Sequence, residues 1–102
     1  MTLAPLPDPH HPLLDPSALV ATLREFVAIN SVNPAHGGPA NGERRVLECA
    51  ARWLGDRSIA ARIEGPAGQT RLVARVEGAR PGPSLLFETH VDTVSAEAMT
   101  VD

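Results

Sequence analysis

The chain has 102 residues, a net charge of −3 and 43% hydrophobic residues, and its length is that of one small domain. All nine basic residues are arginine, and lysine and tyrosine are absent. Within this segment, these absences exclude Schiff-base chemistry, a phosphate-binding lysine loop and a phenolic acid or base. The negative charge argues against a nucleic-acid partner, because a protein that binds the phosphate backbone needs a basic face.

The first stretch of the chain, residues 1–14, holds four prolines and predicts a mobile, extended arm. A signal peptide is not expected there, because no basic residue precedes Arg24. No membrane span is expected either, since asparagine, glycine and proline interrupt the uncharged stretch 26–42. The lone cysteine, Cys49, forms no internal disulfide, which favours a cytoplasmic protein.

Two amphipathic helices are predicted after this arm. Asp15 and Pro16 supply an N-cap acceptor and a first-position proline, and the helix is expected to end near Ile29 or Asn30. Its apolar stripe contains Leu19, Leu23, Phe26 and Val27. A loop rich in glycine, proline and asparagine follows, up to Gly42.

The second helix is predicted to begin after Asn41 and to stop at Gly55. Glu43 lies in its first turn, where a negative charge is favourable. The inner face is expected to contain Val46, Leu47, Ala50 and Leu54. Cys49 lies beside this face, where a small core residue is more plausible than a nucleophile.

Three strands are predicted in the second half of the chain. Residues 59–64 and 71–77 alternate apolar and polar side chains, which is typical of strands with one solvated face. Glycine-rich turns follow each of them, and Leu85–Phe87 then reads as a strand covered on both faces. Because two helices cannot cover both faces of such a sheet, the pattern predicts that part of the domain is missing from this segment.

The residues best suited to chemistry follow this third strand. His90 and Asp92 are two positions apart, so they share one face of an extended chain. A neutral imidazole is a good zinc ligand, and such histidines commonly donate their second N–H to a carboxylate. Asp92 is placed for that orienting role. The alternative is that His90 is a polar strand end and that Asp92 begins a turn.

The chain resembles the N-terminal part of a family of cocatalytic zinc hydrolases over about residues 16–102. That family contains acetylornithine deacetylase, succinyl-diaminopimelate desuccinylase, aminoacylase and glutamate carboxypeptidase. The similar segments, in order, are Ser31–Pro34, Gly42–Glu43, Thr70–Arg75, Gly78 and Ser84–Val94. Residues 15–102 would then form a partial catalytic domain: two helices and three strands of a mixed sheet, from a three-layer α/β/α fold.

The resemblance implies a metal-dependent hydrolase that cleaves an amide bond in N-acyl amino acids or small peptides. His90 would be the first protein ligand of one of two zinc ions, with cobalt or manganese as alternatives, and Asp92 would orient its imidazole. The other metal ligands, the glutamate base and the dimerisation domain of a homodimeric parent would lie outside these residues. We therefore expect the 102-residue chain alone to be inactive.

The sequence departs from the family pattern at three positions near this motif. Thr89 stands where glycine or serine often precedes the histidine, Ser95 replaces a common proline, and Met99 replaces a frequent tryptophan. These changes bear on the substrate class more than on the reaction type. The alternative is a small non-catalytic α/β interaction module or an inactive truncated relative of the family. Such a module would bind a partner through Leu85–Phe87 or an uncovered sheet face.

The remaining candidates have simpler interpretations. His10 and His11 are expected to be solvated on the arm, and His36 to be a loop residue. The turn 65–68 lacks the spacing and the lysine of a phosphate loop. Arg71 and Arg75 are expected to lie on the exposed face of a strand and not to form an anion site.

Overall fold

A computed structural model of the protein describes residues 15–66, 68–97 and 99. The predicted arm, with His10 and His11, lies outside these residues. The elements in chain order are helix α1 (Pro16–Val27), a 3-10 helix (Pro34–His36), helix α2 (Gly42–Gly55), strand β1 (Ala61–Glu64) and strand β2 (Arg71–Ala74). This mixture of two helices with a two-stranded antiparallel sheet is compatible with the predicted α/β class.

Helix α1 begins as its sequence predicts. The side chain of Asp15 accepts a hydrogen bond of 2.9 Å from the backbone N–H of Ser17, and Pro16 occupies the first turn. The apolar stripe of α1 is largely exposed: Leu19 is 71% and Val27 73% exposed, and within the stripe only Phe26 is half-buried. The physical reason is that no element in the described part of the chain covers this face.

Helix α2 carries the small core of the described residues. Val46, Leu47 and Cys49 are buried, which confirms the prediction of Cys49 as a core residue. The thiol of Cys49 lies 3.5 Å from a carboxylate oxygen of Glu25 and so joins α2 to α1. Strand β1 packs against α2, which gives this core its second wall.

The two strands form an antiparallel hairpin in which Ala61 pairs with Ala74 and Glu64 with Arg71. The predicted turn lies between them, and Gly65 and Gly68 both adopt positive φ, at 101° and 82°. Glycine suits both positions because a side chain would strain this backbone conformation. Strand β2 is shorter than predicted, because the pairing stops at Ala74.

The third predicted strand does not form in the described part of the chain. Residues 75–92 contain no strand pairing, and Leu85, Leu86 and Phe87 are 79–87% exposed. Their apolar character predicts burial on two faces, but strand pairing needs a neighbouring strand and two covering layers. Within the described residues, no strand pairs with Leu85–Phe87 and no helix covers it, so the three-stranded sheet of the sequence prediction is not observed.

A single long-range pairing brings the end of this segment back to the loop after α1. Val32 and Thr93 form an isolated parallel bridge. The bridge places Asp92 beside the residues that open the 3-10 helix.

In the described residues, no helix has the length and apolarity that crossing a membrane requires.

Candidate metal centre

His90 and Asp92 are in direct contact. The Nδ1 atom of His90 lies 3.0 Å from Oδ1 of Asp92 and 3.0 Å from its backbone oxygen. Both oxygens are acceptors when the carboxylate is ionised, so Nδ1 must be the donor. The lone pair of the neutral ring is therefore on Nε2, and the side chain of His90 is 83% exposed. This tautomer is the one that could offer Nε2 to a metal ion.

The second carboxylate oxygen of Asp92 is held by a residue far away in sequence. Asn33 donates a hydrogen bond of 3.0 Å from Nδ2 to Oδ2 of Asp92. This hydrogen bond is the main reason that the pKa of Asp92 lies below its ordinary value, and the bond to His90 lowers it further. The carboxylate thus stays ionised and lies between an amide donor and an imidazole donor.

The loop after α1 positions Asn33 through its backbone. The N–H of Asn33 donates to the carbonyl of Thr93 at 3.0 Å, and the N–H of Thr93 donates to the carbonyl of Ser31 at 3.0 Å. Ser31 is only 4% exposed, and its hydroxyl lies 3.3 Å from that of Thr93. These contacts fix the loop against the segment that carries Asp92.

An open cleft of about 560 Å³ lies beside His90. It separates the end of α1 from the segment after His90. Its walls are formed by residues 26–32, Val46, residues 90–91 and residues 93–96. Most of these side chains are aliphatic or aromatic, so the imidazole of His90 lies at the edge of a mainly apolar surface.

The described residues could supply one ligand of a metal site, but they do not form a complete site. No group of three or more histidine, cysteine, aspartate or glutamate side chains able to hold a metal ion occurs in ranges 15–66 and 68–97. A zinc site needs three or four protein ligands. Within these ranges, His90 could therefore contribute at most one ligand, and its imidazole contacts the Asp92 carboxylate.

The structure gives the other sequence candidates that it describes different surroundings. His36 ends the 3-10 helix and is exposed. Burial, followed by the nearby Glu25 carboxylate, raises the pKa of the Cys49 thiol, which opposes a nucleophilic role. Arg71 is an exposed strand residue that pairs with Glu64 at 2.8 Å, so its charge is already compensated.

Sequence patterning predicts no role for Asn33 or for the pair Ser31 and Thr93. A signal was present, because Ser31–Pro34 is one of the segments that carry the family resemblance. An asparagine before a proline also favours a turn. The partner of Asn33 is 59 residues away, however, and local patterning does not reveal such a contact.

No family model matches this chain, and searches of curated proteins and of solved structures find no match either.

Proposed function

We propose that this chain supplies part of the metal centre of a hydrolase that cleaves amide bonds in N-acyl amino acids or small peptides. The observation that carries the proposal is the contact between His90 Nδ1 and Asp92 Oδ1, which leaves Nε2 of an exposed ring available. In the proposed centre, His90 binds one of two divalent ions, zinc or alternatively cobalt or manganese. Such ions, when bound, supply Lewis-acid activation of water and of the scissile carbonyl.

The residues of this chain have two roles in that proposal. His90 contributes one ligand, and Asp92 holds the imidazole in the tautomer that leaves Nε2 free. The cleft beside His90 gives room for a small acyl or peptide group. Since a single histidine does not complete a site, we expect the chain by itself to be inactive. Hydrolysis of an N-acyl amino acid by the purified chain would contradict this expectation.

The proposal also explains the exposed segment Leu85–Phe87. In a complete three-layer α/β/α domain, this segment would be a central strand, and further chain would cover it. The proposed parent is a homodimer in the cytoplasm. The proposed location is supported by the lone Cys49, which can form no disulfide within this segment.

Zinc binding by individual histidines tests the metal role directly. We expect zinc to bind His90 about tenfold more tightly than His36, because a carboxylate partner raises the basicity of a ligating imidazole. Side-chain NMR signals of both rings, followed during a zinc titration, report the two affinities separately. His90→Ala should remove the tighter event, whereas the matched variant His36→Ala should leave it. Equal affinities at the two rings would remove His90 from the proposed centre.

A second function, a non-catalytic interaction module, is favoured by the 87% exposure of Phe87. In that case, Leu85–Phe87 would contact a partner protein and His90 would bind no catalytic metal. The DNA after the Asp102 codon separates the two functions. A continuing reading frame that encodes further acidic and histidine ligands supports the hydrolase, and a stop codon supports the module.

A further inference from the structure

The side-chain amide of Asn33 has a defined orientation. Its Oδ1 accepts a hydrogen bond of 2.9 Å from the backbone N–H of Ala35, and this contact requires an oxygen at that position. Nδ2 must then face Asp92, where it donates over 3.0 Å to Oδ2. The opposite amide orientation would place N–H against N–H and oxygen against oxygen. Both ends of the amide are thus fixed by partners with a single hydrogen-bonding role.

The backbone N–H and carbonyl of Asn33 are also both hydrogen-bonded. Its N–H donates to Thr93, and its carbonyl accepts from His36 at 2.8 Å and Gly38 at 3.1 Å. The residue therefore connects the loop after α1 with the segment that carries Asp92 and His90. A rotation of its side chain would break the bond to Asp92 together with the bond to Ala35.

We propose that Asn33 is a positioning residue that acts on His90 through Asp92. The Asn33 amide holds Oδ2 of Asp92 and so leaves Oδ1 directed at Nδ1 of His90. Together with the backbone oxygen of Asp92, this carboxylate holds the imidazole in the tautomer with its proton on Nδ1. The importance of this tautomer for metal binding rests on the proposed function. The relay itself, the hydrogen-bonded chain of Asn33, Asp92 and His90, does not depend on that function.

Two substitutions of Asn33 remove its hydrogen bond to Asp92 but keep an acceptor for the backbone N–H of Ala35 in the loop. Asn33→Asp keeps an oxygen for the Ala35 N–H but replaces the donor with a second carboxylate oxygen facing Asp92. Asn33→Ser also retains a capping hydroxyl and is too short to reach Asp92. The matched control is Asn41→Asp, because Asn41 precedes α2, is exposed and makes no side-chain capping bond there.

The experiment is a long-range proton–nitrogen NMR correlation on the histidine rings of the full chain, at about pH 8.5, where free imidazole is neutral. In the unsubstituted chain, we expect the proton of His90 on Nδ1. The ratio of this tautomer to the other should fall, by up to about tenfold, in both Asn33 variants, because the charge-assisted bond from Nδ1 to Oδ1 of Asp92 is weakened while the backbone oxygen of Asp92 remains an acceptor. The Asn41→Asp chain should keep the original ratio.

Two results would overturn the proposal. One is a predominant Nε2–H tautomer in the unsubstituted chain, which decides the matter even if both Asn33 variants unfold. The other is an unchanged ratio in the Asn33 variants. The zinc titration described above is independent. A tautomer shift in the variants, combined with no preference of zinc for His90, would uphold the relay and reject the metal role.

Discussion

Replacing Gly38 by alanine tests whether the loop after α1 determines the position of the site. A Cβ atom added at Gly38 would overlap the carbonyl oxygen of Val32 and would lie 2.9 Å from its Cβ. Val32 is the residue that bridges to Thr93, next to Asp92. Relief of this overlap therefore has to move the backbone on which the site depends.

The size of the effect follows from this overlap. Contacts this short do not occur in native packing, so the loop must shift by roughly an ångström, at a cost of about 1–3 kcal/mol. With a urea dependence of about 1 kcal/mol per molar for a chain of this size, the unfolding midpoint should fall by about 1–3 M. The same shift should also break the bond from the Thr93 N–H to Ser31.

Urea unfolding and the hydrogen-exchange rate of the Thr93 amide measure the two effects. Gly55→Ala is the matched control, because Gly55 is the last residue of α2 and a Cβ there meets nothing within 4 Å. It should leave the midpoint unchanged or raise it, since alanine favours the helix. If Gly38→Ala and Gly55→Ala show the same midpoint and the same exchange at Thr93, the loop does not control the site.

Three further predictions concern the core, the pH dependence and the thiol. Leu47→Ala should lower the free energy of unfolding by about 2–5 kcal/mol, and a loss below about 1 kcal/mol in urea unfolding would show that α2 does not carry the core. The Asn33 amide lowers the pKa of Asp92, so its ionised contact stabilises the loop fully above the ordinary carboxyl value of 3.8 and is lost as the pH falls through the lower folded-state value. An NMR titration of the Asp92 carboxyl carbon with a midpoint at or above 3.8 would contradict this direction. Burial and the Glu25 carboxylate raise the pKa of the Cys49 thiol, so iodoacetamide at about pH 8 should modify it at least about tenfold more slowly than free cysteine, and equal rates would refute its burial.

The elements that the sequence predicts well depend on chemistry within a few residues. The start of α1 follows from the Asp15 side chain and the proline after it, which act on the same helical turn. The hairpin follows from alternation in two short segments and from two glycines that permit positive φ. The contact between His90 and Asp92 is local as well, because only one residue lies between them in the sequence.

The features that the sequence prediction missed depend on distant partners. Leu85–Phe87 has the composition of a buried strand, but its conformation depends on strands and helices that it must pair with and pack against. Asn33 meets Asp92 only because Val32 pairs with Thr93, and a single bridge leaves no periodic pattern. For the same reason, the exposure of Leu19 on α1 could not be predicted from its apolar stripe alone.

The bridge between Val32 and Thr93 also has a kinetic consequence. Ser31 and Thr93, which the bridge joins through hydrogen bonds, are 62 residues apart, so their contact closes a long loop at an entropic cost of roughly 3–4 kcal/mol. The helices and the hairpin need only local contacts and can form within microseconds. We therefore expect the site to assemble last during refolding, and during synthesis only after Thr93 has left the ribosome.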